Sequence, residues 1–189
     1  MLIKKIFFVV NKFSGTGYQR GVEGKIIDVC EANDAECTIE ITGGRGHATD
    51  LAKEAVQQGF QYIVAVGGDG TINETAQGLV HTDACLGIIP KGSGNGLARH
   101  MHIPLSFNKA LTSLFNSQVI QMDTMLINQR LSLNVSGVGF DGHIANLFDK
   151  NIRRGLYGYL RLTLKEFFSF KEFRFRLSMG RQELERSAF

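Results

Sequence analysis

Short runs of apolar residues, separated by longer amphipathic stretches, dominate the first half of the chain. The runs at 3–10, 62–66 and 86–89 are mostly apolar, whereas 37–41 alternates apolar and polar residues. Nearly continuous runs are typical of parallel strands that are buried on both faces, and alternation is typical of a strand with one solvated face. The pattern therefore predicts a strand at each of these four places.

Between these strands the apolar residues recur with the spacing of one helix face. This periodicity predicts helices at 24–33, from about Thr49 onward, from the glycine-rich turn at 67–70 to Leu79, and at 107–116. Strands that alternate with helices along a chain are typical of a parallel sheet with helices on both faces. We therefore predict an α/β fold with a doubly wound sheet.

From about residue 119 the pattern changes to short alternating segments. The strands predicted here are 120–122, 125–127, 131–135, 173–179 and 182–188. Hairpin turns are predicted at Asn128-Gln129 and at Gly180-Arg181. We therefore predict an α/β domain at 1–124 and the start of a β-rich, sandwich-like domain at 125–189.

The basic and aromatic segment 150–176 admits two interpretations. Its apolar residues fall on one helix face, and arginine and lysine residues surround that face. One interpretation is an amphipathic surface that docks on anionic lipid headgroups. The other, which we favour, is a core-facing helix and strand with solvated charges, because each apolar residue has a domain to face.

Composition narrows the picture only slightly. The hydrophobic fraction of 43% and the charged fraction of 21% are typical of globular proteins, and the net charge of +3 argues neither for nor against nucleic acid. The three cysteines lack metal-binding spacing, which suggests reduced thiols in the cytosol. No apolar run reaches the length of a membrane-spanning helix. We therefore expect a cytoplasmic protein.

The most informative stretch follows the third predicted strand, where residues 67–71 read Gly-Gly-Asp-Gly-Thr. A strand, a glycine-rich turn and a helix in succession direct backbone N–H groups and a helix N-terminus toward an anion. Asp69 would repel a phosphate there unless it holds Mg²⁺ or acts on a proton. The alternative is a tight turn in which glycine supplies positive φ and the aspartate caps the helix.

Other glycine-rich turns also follow predicted strands. Residues 11–17 read Asn-Lys-Phe-Ser-Gly-Thr-Gly, and residues 90–96 read Pro-Lys-Gly-Ser-Gly-Asn-Gly. The carboxyl ends of strands in an open α/β sheet form the edge where ligands collect. The turn at 42–48 contains His47, which we interpret as a hydrogen-bonding residue at a helix start rather than a catalytic base.

Residues 67–71, followed at once by Asn-Glu at 73–74, resemble the signature of the diacylglycerol kinase catalytic-domain family. These lipid kinases are related to sphingosine and ceramide kinases and, more distantly, to NAD kinases. The turns at 11–17, 42–48 and 90–96 resemble further segments of the same family, and residues 134–141 resemble the family's entry into a second, mainly β domain.

Three positions depart from the family pattern. Lys12 replaces a proline, and Ser93 replaces a threonine but keeps the hydroxyl. Gly96 replaces an aspartate, so any role of that carboxylate is absent here.

The resemblance implies a kinase that uses ATP and Mg²⁺ to phosphorylate the hydroxyl of diacylglycerol or a related lipid. It implies that Asp69 is catalytic and that it binds the metal, directly or through water. The nucleotide contacts that it implies are Asn11, Ser14, Gly15, Gly17, Thr42, Gly67, Gly68, Gly70, Thr71, Asn73, Glu74, Gly92, Ser93 and Asn95. ATP is expected in a cleft between the two domains. The expected location is the cytoplasm, with peripheral attachment to the inner face of the membrane.

Two alternatives stay open: a phosphotransferase similar to NAD kinases, and a nucleotide-binding module without catalysis. We expect a lipid substrate at the membrane surface and no nucleic acid, and a homodimer is left open. The family's general base and structural metal ligands come from a later acidic stretch that we do not find after Asp141. We therefore expect this chain to be the N-terminal part of a longer kinase, able to bind ATP, prone to associate and a poor catalyst alone.

Overall fold

A computed structural model of the chain describes residues 3–15, 21–149 and 156–188. The strands are β1 (Lys5–Val10), β2 (Glu36–Ile41), β3 (Tyr62–Gly67), β4 (Cys85–Pro90), β5 (Met125–Ile127), β6 (Arg130–Ser132), β7 (Phe173–Met179) and β8 (Gln182–Ala188). The helices are α1 (Val22–Glu31), α2 (His47–Gln57), α3 (Asp69–Leu79), α4 (Gly96–His100), α5 (Phe107–Ser113), which continues as a 3₁₀ turn at Leu114–Asn116, α6 (Phe140–Asp149) and α7 (Leu156–Phe167).

The first four strands form one parallel sheet in the order β2-β1-β3-β4. Val10 at the end of β1 is in register with Ile41 of β2 and with Val66 of β3. The carboxyl ends therefore lie side by side, and the loops that follow them share one edge. The chain order reverses between β1 and β3, and such a reversal is where open α/β sheets bind ligands.

Helices cover both faces of this sheet, as the sequence predicts. On one face Phe8 and Val10 of β1 pack in a cluster with residues of α1 and α5. On the other face Phe7 and Val9 pack with residues of α2. Because β1 is buried on both faces, alternation is absent from its sequence. The doubly wound α/β prediction is confirmed.

The hairpin of β5 and β6 belongs to the first of the two compact units, which extends from Met1 to Asn134. Its turn residues Asn128 and Gln129 have φ of 48° and 65°, the positive values that a two-residue hairpin turn requires. The predicted turn is therefore confirmed. The unit ends beyond the predicted boundary at 124 because hydrogen bonds from α3 hold this hairpin. The strands predicted around 120–122 are absent, since residues 117–124 form no regular structure.

The second unit, from Val135 to Phe189, contains α6, α7 and the antiparallel hairpin of β7 and β8. The hairpin was predicted, and the expectation of a C-terminal region with antiparallel strands is confirmed. Helix α6 was not predicted. It is joined to α7 by a contact of 3.1 Å between His143 Nε2 and Glu166 Oε2, and by the edge-on contact of the Phe140 and Phe167 rings.

The apolar face of α7 is exposed rather than packed. Leu160, Leu164 and the adjoining Phe168 are 55%, 60% and 89% exposed. This observation is contrary to the favoured core-facing interpretation of these residues, while residues 150–155 of the same segment lie outside the described part of the chain. Within the described residues, no helix combines the length and the apolarity needed to cross a membrane.

Candidate functional site

Three loops meet at the carboxyl edge of the parallel sheet, after β1, β3 and β4. Gly15 in the first loop has φ of +65°, and a Cβ there would collide with the backbone carbonyl of Lys91 in the third. A Cβ on Gly92 would lie 2.6 Å from the Cα of Gly68 in the second loop. Such distances are too short for real contacts, so glycine at these positions lets the three backbones touch.

Asn11 ties the first loop to α3. Its backbone N–H donates to Val66 O, and its Nδ2 donates to Thr71 Oγ1, each at 2.9 Å. Its Oδ1 accepts the N–H of Phe13, and its backbone oxygen accepts the hydroxyl of Ser14, again at 2.9 Å. All of its polar groups therefore shape the loop. Asn11 and Ser14 were predicted as nucleotide contacts, and the structure assigns these side chains to bonds within the protein.

Asn95 has the same architectural role in the third loop. It is buried, has φ of 51°, and bonds Gly92 in both directions: Oδ1 accepts the Gly92 N–H at 2.8 Å and Nδ2 donates to Gly92 O at 2.9 Å. Ser93 and Gly94 lie exposed at the tip of the closed turn. Arg99 supports the tip because its Nε donates to Gly94 O at 2.9 Å.

Asp69 is the first residue of α3 and is exposed. Its Oδ1 accepts the Leu97 N–H at 3.3 Å, and its Oδ2 lies 3.2 Å from the place where a Cβ on Gly94 would be. The first amides of a helix have no partner inside the helix and carry partial positive charge. The carboxylate thus lies between the α3 N-terminus and the third loop, which is where the predicted phosphate-binding amides converge.

The remaining predicted contacts divide into buried and open positions. Gly67 and Thr71 are buried against each other, since a Cβ on Gly67 would lie 2.5 Å from Thr71 Oγ1. Gly70 is exposed and has open space where a Cβ would be. Asn73 donates through Nδ2 to Leu131 O at 3.0 Å. Of these, Gly70 is the position at which a nucleotide could lie against the backbone.

Three further predictions concern the periphery of the site. Glu74 is partly exposed, and its backbone oxygen accepts the hydroxyl of Thr49 at 2.8 Å. Thr42 is buried, and its N–H donates to Val10 O at 3.0 Å, which places it beside the first loop. Gly17 lies outside the described residues.

His47 has the structural role that the sequence predicts. It is the first residue of α2, and its Nδ1 accepts the N–H of Gly43 at 2.8 Å. The interpretation of a hydrogen-bonding histidine at a helix start is therefore confirmed. Lys91 lies in the third loop, and partial burial lowers the pKa of its ammonium group.

The oxygen ligands at the site determine which kind of metal site could form there. Among the described residues no group of three His, Cys, Asp or Glu side chains could hold a metal. Mg²⁺ in phosphoryl-transfer sites is commonly held by one or two carboxylates, with phosphates and waters as the other ligands. The single exposed carboxylate of Asp69 fits that mode and does not fit a site built from protein ligands alone.

One residue near the site was missed at the sequence level. A Cβ on Gly96 would lie 3.2 Å from Asn134 Nδ2 and 3.7 Å from Asp69 Oδ1. Asn134 follows the β5–β6 hairpin, far along the chain from either glycine-rich turn. The resemblance of residues 134–141 to a family segment did not mark it as a site residue, because only the docking of the hairpin on α3 brings it here.

Comparisons with known proteins agree with this arrangement. The family model described as "Diacylglycerol kinase catalytic domain" matches residues 5–127. The diacylglycerol kinase of Bacillus subtilis is 33% identical over 140 residues, which are 72% of this chain and 46% of that protein. A probable lipid kinase YegS-like of Pseudomonas aeruginosa is 32% identical over 157 residues, 80% of this chain and 52% of that protein.

Solved structures give the same result for the fold. The crystal structure of a diacylglycerol kinase from Bacillus anthracis superposes with a TM-score of 0.75 at 25% identity, over 99% of this chain and 62% of that one. The chain spans about half the length of the curated relatives it matches, from 36% to 52% in those compared.

Proposed function

The chain belongs to the diacylglycerol kinase catalytic domain family, and from that premise we propose that it binds ATP over the three loops and phosphorylates a lipid hydroxyl. The observation that carries this proposal is the Asp69 carboxylate, exposed at the N-terminus of α3 and fixed by Leu97. A negative side chain at a phosphate site needs a function there, because it would otherwise repel the ligand.

In the proposed step the hydroxyl oxygen of the lipid forms a bond to the γ-phosphorus of ATP. The bond between that phosphorus and the bridging oxygen breaks, and its electron pair leaves with ADP. The hydroxyl proton passes to the Asp69 carboxylate. Backbone amides at the start of α3 would stabilise the charge on the transferred group, as preorganised donors do in phosphoryl transfer.

Mg²⁺ would be held by Asp69 through water, which leaves the carboxylate able to take the proton, and when bound the ion neutralises phosphate charge. The lipid acceptor would be reached at a membrane surface. The exposed apolar face of α7, with Arg161 and Lys165 on the same helix, supports this part of the proposal. Apolar insertion together with basic residues is the usual mode of attachment to anionic membranes.

The decisive measurement is transfer of labelled phosphate from ATP in the presence of Mg²⁺, with diacylglycerol, a total lipid extract and NAD offered as separate acceptors. We expect slow labelling of a lipid that mass spectrometry can identify, since this chain alone is expected to be a poor catalyst. Label on NAD alone would support the NAD kinase alternative. ATP binding in calorimetry without transfer to any acceptor would support the non-catalytic module.

Asp69→Asn should reduce transfer by about 10²-fold, the usual effect of removing an acid–base or electrostatic group. The melting temperature should hardly change, because the asparagine oxygen can still accept the Leu97 N–H. Asp50→Asn is the matched control, since Asp50 is also an exposed aspartate in the first turn of a helix. Equal transfer rates in both variants would contradict the role of Asp69.

A further inference from the structure

A hydrogen-bond donor and a carboxylate border the space beside Gly96. A Cβ on Gly96 would lie 3.2 Å from Asn134 Nδ2, which is tighter than an ordinary contact, and 3.7 Å from Asp69 Oδ1. The carboxylate is oriented by the Leu97 N–H at 3.3 Å. Glycine at position 96 thus lets the Asn134 amide lie close to the start of α4, near the oriented carboxylate.

Asn134 is held at this place by the docking of the hairpin that precedes it. The backbone oxygen of Leu131 accepts Asn73 Nδ2 at 3.0 Å, and its N–H donates to Gln77 Oε1 at 3.1 Å. Leu133 then packs against a cluster that includes Leu97. Both anchors lie within three residues of Asn134, so its backbone is fixed relative to α3 although its side chain is exposed.

The two groups together match a hydroxyl better than a phosphate. An alcohol is at once a donor and an acceptor, so its O–H can point to the carboxylate while its oxygen accepts from the amide. An ionised phosphate oxygen could accept from Asn134, but it has no hydrogen to donate to the Asp69 carboxylate. The two groups together therefore favour a neutral hydroxyl in this space.

We propose that Asn134 and Asp69 bracket the acceptor hydroxyl above Gly96, an inference that rests on the proposed function. Asn134 orients the hydroxyl oxygen toward the γ-phosphorus, and Asp69 takes the proton when the new P–O bond forms and the bond to ADP breaks. The Asn134 side chain then contributes to binding of the acceptor and not to binding of ATP. Gly96 is required because a Cβ there would press on the Asn134 amide and displace it from the acceptor.

The test compares Asn134→Ala and Gly96→Ala with two matched controls elsewhere in the chain. Asn108→Ala removes an exposed asparagine in α5, and Gly24→Ala adds a Cβ in α1 where nothing lies within 4 Å. Initial rates with dioctanoylglycerol in mixed micelles should show kcat/KM about tenfold lower in both test variants, the loss expected from one hydrogen bond. The ATP Kd from calorimetry should match that of the controls.

A second readout separates this inference from the proposed function. Saturation-transfer NMR of dihexanoylglycerol, with a non-hydrolysable ATP analogue present, reports acceptor binding without turnover. Weaker acceptor binding by Asn134→Ala than by wild type would support the inference, whether or not wild type transfers phosphate. Absence of phosphate transfer by wild type would contradict only the proposed function. Asn134→Asp, which keeps the size of the side chain but replaces the donor, should bind the acceptor as weakly as the alanine variant.

Three outcomes would overturn the inference. Wild-type turnover with unchanged kcat/KM in the test variants would show that the space is not used. A raised ATP Kd with unchanged kinetics toward the acceptor would assign the space to the nucleotide. Wild type that neither binds nor phosphorylates the short-chain diglycerides would refute both the inference and the proposed function.

Discussion

At the residue scale, the glycines of the second and third loops differ in what a side chain would meet. A Cβ on Gly92 would lie 2.6 Å from Gly68 Cα, so the backbones would have to separate. A Cβ on Gly70 would meet nothing within 4 Å, and the residue is already in helix α3. The first substitution therefore disturbs the protein itself, whereas the second disturbs only a ligand.

We expect Gly92→Ala to lower both the melting temperature and the affinity for ATP. Gly70→Ala should keep or raise the melting temperature, since alanine is favoured over glycine in a helix by about 1 kcal/mol. If a nucleotide lies against this turn, Gly70→Ala should still weaken ATP binding about tenfold, the effect of about 1.4 kcal/mol. Calorimetric titration with ATP and thermal melting measure the two effects.

Gly24→Ala in α1 again serves as the control for added helix propensity, because open space surrounds that position as well. Unchanged ATP affinity in Gly70→Ala would place the nucleotide elsewhere than over the start of α3. An unchanged melting temperature in Gly92→Ala would contradict the close approach of the two loops.

The residue scale also shows where sequence reasoning reached its limit. Asp69 was placed correctly at the start of a helix because strand, turn and helix are consecutive in the chain. Asn73 was predicted as a nucleotide contact, yet its amide bonds Leu131, which lies 58 residues away. Asn134 was not predicted as a site residue at all. Partners at such separations depend on the fold, and one sequence contains no local signal for them.

At the scale of elements, α3 organises the site on two sides. Its first residue presents Asp69 to the third loop, and further along the helix Asn73 and Gln77 hold the β5–β6 hairpin. Leu131 is only 4% exposed, so its backbone groups depend on these two amides. The helix therefore couples the position of the hairpin to the position of the carboxylate.

We expect Gln77→Ala to lower the free energy of unfolding by about 1–3 kcal/mol, because it leaves the buried Leu131 N–H without a partner. Urea denaturation measures this loss, and hydrogen exchange of the Leu131 amide should become faster. Gln58→Ala is the matched control, since Gln58 is exposed and its side-chain Nε2 donates to the exposed Glu54 Oε1 at 3.0 Å. Equal stabilities of the two variants would contradict the anchoring of the hairpin by α3.

Elements were predicted well where the pattern is local and less well where it is not. All four strands of the parallel sheet were predicted. Burial on both faces leaves runs such as Phe7 to Val10 without polar residues, and β2 was predicted from its alternation of apolar and polar residues. Helix α6 was missed because its segment contains Gly142, a weak helix former, and because the resemblance suggested the entry to a β domain. The strands predicted around 120–122 do not form, since nothing pairs with them in the described structure.

At the scale of the whole molecule, apolar side chains of the two units differ in their exposure to solvent. In the first unit the Ile, Phe and Val side chains of β1 and β3 are almost completely buried between helices. In the second unit Leu160, Leu164 and Phe168 are exposed along and just beyond α7. Contiguous exposed apolar patches are uncommon on soluble proteins and often mark interaction sites. The flanking Arg161 and Lys165 support our proposal that this face meets an anionic lipid surface.

We expect the chain to sediment with vesicles that contain phosphatidylglycerol and to remain largely unbound with pure phosphatidylcholine. Each basic residue near an anionic surface contributes about 1 kcal/mol, so Arg161→Gln with Lys165→Gln should reduce partitioning by more than tenfold and weaken its dependence on salt.

Leu164→Ser with Phe168→Ser should reduce binding to both lipid mixtures, because apolar burial does not depend on headgroup charge. Leu105→Ser, at an exposed leucine of the first unit, is the control and should bind as wild type does. Equal partitioning of wild type and both double variants would exclude the α7 face as the membrane contact.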